Sequence, residues 1–148
     1  MHGRRATLCV LLLLLLTTAA CGSPSHVTFI PEGGSYKVGD LISTLDSANP
    51  PASLARLSPD DVAGARQEAL ADLRSYGDDA SALADTLTSE FPHDVTAVPF
   101  AVERGQFDGS PAWIVIESWG DPGGQLEFRR LWVFSYDDLS VLAAHSMR

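Results

Sequence analysis

Glu103, Glu117 and Glu127, with Arg129 and Arg130, come nearest in this chain to an acid–base site. All five fall in or near the ends of segments that alternate like strands. Neighbouring strands can therefore bring two carboxylates towards one arginine, the minimum for proton transfer. The competing reading is cross-strand ion pairing on a sheet rim, for instance Glu117 with Arg130. The histidines offer less. His26 stands in a leader and His93 follows the helix-ending Pro92, so both are expected in solvent. His145 is expected in the last strand, beside Trp132. His93-Asp94 supplies two ligand atoms without a third at useful spacing, short of what zinc requires. Gly34-Ser35-Tyr36-Lys37-Val38-Gly39 has the glycine spacing of a phosphate loop. Asp40-Leu41 replace its Lys-Ser pair, however, and an acid repels phosphate, so this segment is read as a turn. Asp60-Asp61, Asp78-Asp79 and Asp137-Asp138 fall at helix starts or turns, where acids are favoured. There is no calcium-loop pattern and no Gly-x-Ser-x-Gly elbow. No catalytic residue, cofactor or metal ligand is assigned.

The strongest pattern lies ahead of these residues. His2, Arg4 and Arg5 precede an apolar run from Leu8 to Leu16, followed by Thr17, Thr18, Ala19 and Ala20. A basic start, an apolar centre and small closing residues make an export signal. The run is shorter than the roughly 20 residues a spanning helix needs. Thr18-Ala19-Ala20-Cys21 resembles the lipobox of bacterial lipoproteins, with Thr18 where that box usually carries Leu. The resemblance implies cleavage before Cys21 and a diacylglyceryl group on its sulfur, and with it attachment to the outer face of a cell membrane. Gly22 and Ser23 suit the tether that follows. Thr18-x-Ala20 also fits an ordinary secretory cleavage site, so free secretion is the alternative.

Charge and cysteine count bound the remainder. The whole chain has 148 residues, and Cys9 and Cys21 are its two cysteines. One lies in the export signal and the other is the proposed anchor, so the folded part has no disulfide and no thiolate metal site. All 19 acidic residues lie beyond Cys21, while Arg4 and Arg5 leave with the signal. Eight basic residues then face 19 acidic ones, for a net charge of −11. Such a field repels nucleic acid and anionic head groups and favours a cationic partner or plain solubility.

The elements that must position these residues follow from periodicity. Val27–Ile30 and Tyr36–Val38 suit short strands. Asp40 suits the cap of a brief helix through Leu41, Ile42 and Leu45, stopped by Asn49-Pro50-Pro51. Ser58-Pro59-Asp60-Asp61 opens a helix whose stripe is Val62, Ala65, Ala69, Leu73 and Tyr76, and Gly77 stops it. Ala80, Leu83, Ala84, Leu87 and Phe91 form a second stripe, ended by Pro92. Strands are expected at 98–102, with Pro99 marking an edge, and at 112–119, 127–136 and 141–146. Residues 105–111 are read as a turn. Short connections make the strands an antiparallel meander. The preferred register puts Trp113, Val115, Trp132, Phe134, Tyr136, Val141 and Ala143 on one side. Ala112, Ile114, Ile116, Leu131, Val133, Leu142 and Ala144 take the other. The aliphatic side is expected under the two helices. The aromatic side is expected to be roofed by residues 27–57 or left partly open.

The expected fold class is α+β: two helices on a four-stranded antiparallel meander, preceded by an extended segment. The expected organisation is a signal over 1–20, a tether and N-terminal segment over 21–57, and a domain over 58–148. The expected role is a lipid-anchored, non-catalytic envelope protein. It holds a protein or wall component, with Trp113, Trp119, Trp132 and Phe134 as the contact face. The alternatives are a carrier of a small apolar ligand and a weak hydrolase using the strand-end acids.

Overall fold

The computed structural model describes residues 26–91 and 96–148. The leader with Cys21, and His93-Asp94, lie outside the described residues. In chain order the strands are β1 (Thr28–Ile30), β2 (Ser35–Tyr36), β3 (Ala97–Phe107), β4 (Ser110–Trp119), β5 (Phe128–Ser135) and β6 (Val141–Met147). Between β2 and β3 stand α1 (Asp40–Ser47), α2 (Ala52–Ala55), a 3-10 turn at Pro59–Asp61, α3 (Val62–Arg74) and α4 (Asp78–Ser89).

The α+β class holds, but the sheet does not stop at four antiparallel strands and the helices number more than two. β3 to β6 are successive antiparallel neighbours, and β1 and β2 add to β3 in parallel, giving a mixed six-stranded sheet. β3 is therefore not an edge over residues 101–107. Pro99 is tolerated because it precedes the parallel pairing, which begins at Ala101, and because a bulge follows it. Residues 105–111 are not a loose turn either. The strands run on to a two-residue connection, Asp108-Gly109, whose φ values of 50° and 83° are the left-handed pair that a tight hairpin of this hand requires.

The β4–β5 register pairs Trp113 with Phe134 and Val115 with Trp132, which keeps the aromatic and aliphatic sets on opposite sides. The covers are the reverse of expectation. α3 and α4 lie on the aromatic side: Tyr76 leads by way of Phe29 to Trp113, and Phe91 packs on Trp132. Size explains this. The small buried residues Ala65, Ala69, Ala80 and Ala84 let the helices approach a surface already filled by rings. α1 lies on the aliphatic side, its end facing Ile114 and Ile116, and Leu41, Leu45 and, from α2, Leu54 are buried in the core. Arg129 helps hold α1 there: its Nη1 lies 3.2, 3.0 and 2.7 Å from the carbonyl oxygens of Leu45, Asp46 and Ala48. A cation at that helix end also suits its dipole. Residues 27–57 thus belong to the same core as the rest.

A bulge between β5 and β6 changes the last strand. It pairs Ala143 with Val133 and Ala144 with Trp132, so these alanines exchange sides relative to the expected register. His145 consequently pairs with Leu131 on the aliphatic side, not beside Trp132.

Candidate functional site

The polar centre of the molecule is Glu117. It pairs with Arg130 across β4 and β5, as the cross-strand reading expected, but in the interior rather than on a rim. The carboxylate is 1% exposed and meets four donors. Arg66 Nη1 donates to Oε1 at 3.1 Å. Arg130 Nε and Nη2 donate to Oε2 at 3.1 and 2.8 Å, and Trp132 Nε1 at 2.9 Å. Arg66 reaches it from α3 and also donates to the carbonyls of Ala97 (2.9 Å) and Leu87 (3.0 Å). One buried group thereby ties α3 and the end of α4 to β3, β4 and β5. Arg130 also lies 4.8 Å from the centre of the Trp132 ring. These contacts engage both oxygens of Glu117, Oε1 with Arg66 and Oε2 with Arg130 and Trp132. Arg66 was missed in the sequence, although the signal was present. It stands four residues after Val62 and four before Leu70, on the apolar stripe.

The other acids do not join Glu117. Glu103 lies on the opposite side of the sheet, paired with Ile114. Its carboxylate accepts the Gly34 N–H and the Tyr36 hydroxyl. A Cβ on Gly33 would stand 2.0 Å from Glu103 Oε1, so a side chain there would displace the Glu103 carboxylate from its place against the turn. The glycine-rich segment does cradle an anion, but one that belongs to the chain. Burial pushes the Tyr36 hydroxyl up to about 12, with the bond to Glu103 and its charge adding to the effect. Glu127 is exposed outside the strands. The strand-end acids therefore assemble no paired-carboxylate site. His26 is exposed, 3.5 Å from Asp72.

The four residues of the expected contact face share one side of the sheet, and they differ in access. Trp113 and Phe134 are interior, at 1% and 0% exposure. Trp113 stacks on Tyr136, with ring centres 5.6 Å apart. Trp132 and Trp119 are part-exposed. Trp119 packs on Phe128 at 5.1 Å and carries the Arg148 guanidinium 5.2 Å from its ring centre.

Two hollows bear on ligand binding. One of about 290 Å³ lies between the end of α1 and the aliphatic side, lined by Ile30, Phe100, Ile114 and Ile116, with Glu103 at its rim. A larger, more open one of about 610 Å³ lies beside the Gly33 turn, with Arg104, Gln106 and Tyr136 in its wall. Among the described residues no group of three His, Cys, Asp or Glu side chains is placed to hold a metal ion. Compared with protein families, with curated proteins and with solved structures, the chain shows no match.

Proposed function

We propose that this chain is an extracytoplasmic lipoprotein, attached by a diacylglyceryl group on Cys21, that binds a protein or wall component and performs no catalysis. The observation that carries the reading is Leu8–Leu16 closing on Thr18-Ala19-Ala20-Cys21, with the first core residue, Val27, close behind. The five residues between them span at most about 18 Å, so the domain is held close to the bilayer. Among the described residues no helix is long and apolar enough to cross a membrane. Two acyl chains anchor a protein stably where one holds it marginally. The contact surface is read as the part-exposed Trp119 and Trp132, which carry Arg148 and Arg130 on their rings, on a domain of acidic net charge. Cys21→Ser is expected to move the protein from the membrane fraction to the medium. Retention of that variant in the membrane fraction would refute the lipid anchor.

A second reading is favoured by the hollow of about 290 Å³ beneath α1. It has the size and lining for a short apolar ligand, which makes a carrier role the alternative. The carrier predicts an apolar molecule in the mass spectrum of protein purified under native conditions. It also predicts loss of that molecule in Ala48→Trp, which fills the hollow. A native spectrum of the bare protein would remove the carrier reading and leave the interaction module.

A further inference from the structure

The sheet has two very unequal edges. On one side stand β1 and β2, of three and two residues, too short to template another strand. On the other stands β6, seven residues long, which pairs only with β5 among the described residues. Val-Leu-Ala-Ala-His-Ser-Met has none of the lysines, acids or prolines that normally protect such an edge. Val141 and Leu142, at its start, are 47% and 46% exposed. Each opens onto a hollow. The one beside Val141, about 440 Å³, is lined by Phe91, Leu139, Glu90 and Asp138. The one beside Leu142, about 460 Å³, is lined by Phe107, Asp108 and Asp137. Asp138 is engaged by Ser140. Glu90, Asp108 and Asp137 have no cation within salt-bridge distance among the described residues.

We propose that β6 is a strand-addition site for an extended, cationic segment of a partner protein. The backbone of such a segment continues the sheet beyond β6. Its alternate side chains enter the two hollows, where aliphatic parts meet Phe91, Leu139 and Phe107 and positive ends meet the free carboxylates. Charge selects this occupant over a second copy of the chain, since two strongly acidic domains repel on approach. The inference rests on the reading of the chain as an anchored binding protein, and anchoring gives the edge its place. β1 follows the tether directly, and β6 lies four strand spacings further on, about 19 Å away. The free edge is thus turned away from the attached one.

The test uses the full processed protein in detergent micelles and a fluorescent peptide of alternating valine and lysine, as long as β6. Anisotropy is expected to report binding that weakens with added salt. Amide exchange is expected to slow at alternate residues of 141–147. Leu142→Lys, at an exposed position, and the pair Asp108→Asn with Asp137→Asn should each weaken binding about tenfold or more with unchanged melting temperature. A peptide of the same sequence and charge with every backbone amide N-methylated should not bind, since it has no N–H to donate along the edge. Equal binding of the N-methylated peptide would reduce the effect to bulk charge and overturn the proposal. So would absent binding, or a concentration-dependent dimer sealing residues 141–147. Acyl mass and membrane fractionation are read separately on the same preparation, so a failure of anchoring is distinguishable from a failure of the edge.

Discussion

Glu117 is where removal of a few atoms should cost most. In Glu117→Gln two guanidinium groups lose their shared carboxylate in the interior, and breaking a buried pair in this way costs about 3–5 kcal/mol. Urea unfolding should show this as a lower midpoint at unchanged slope. Asp85→Ala is the control: its partner Arg74 sits 2.9 Å away at the surface, and such exposed pairs contribute under about 1 kcal/mol. Equal losses in the two variants would contradict the central place given to Glu117. Tyr36 gives a separate handle. Its folded-state ionisation is raised from 10 to about 12, so the native protein keeps this proton after the unfolded chain has lost it. Its contribution to stability is therefore complete below pH 10 and lost as pH rises towards 12. A phenolate absorbance titration should show Tyr36 ionising at about 12, with Tyr136 also raised above the usual range by its hydrogen bond to Asp79, and Tyr36→Phe should remove the phase at about 12. The Glu117–Arg130 pair was legible in the sequence because strand parity placed the two opposite each other. Its burial was not, because Arg66 comes from a helix whose place over β4 is set only by tertiary packing.

At the scale of elements, backbone conformation decides more than side-chain type. Gly77 starts α4 at φ 120° and ψ 176°, a region essentially confined to glycine, with open space where a Cβ would stand. Gly77→Ala should therefore cost roughly 1–3 kcal/mol from backbone strain alone. Gly64, inside α3, also has open space around it, and Gly64→Ala should stabilise by roughly 0.5–1 kcal/mol. Thermal unfolding of the two variants should shift in opposite directions, and a shared sign would contradict the assignment. The helices of 58–91 and the strands of 112–146 were readable, since 3.6- and 2-residue periods persist long enough to be seen. Three features were not read. The parallel pairing of β1 with β3 joins residues 73 apart and leaves no local trace. The covers of the sheet were reversed, because alanine stripes were matched to aliphatic side chains when close packing sets small residues against large rings. The Asp108-Gly109 turn does carry a local signal, a dipeptide suited to two positive φ values, but it sits within residues 105–111, whose glycines and proline read as one longer turn.

At the scale of the molecule, the proposed role rests on charge and attachment. Residues 21–148 carry a net charge of −11, and the proposed attachment at Cys21 would hold that charge within about 18 Å of the anchor, where it favours neutral or cationic partners. Little of the candidate site was legible at this scale. Trp113 and Phe134 pattern like a contact face, but their exposure depends on which helices cover them, and alternation alone does not encode that. The measurement that bears most directly on the whole reading is the intact mass of the N-terminal peptide from protein made in its own cells. The lipid reading predicts that this peptide begins at Cys21 and carries the added mass of a diacylglyceryl group. A peptide beginning at Cys21 with the mass of the bare residues would contradict it.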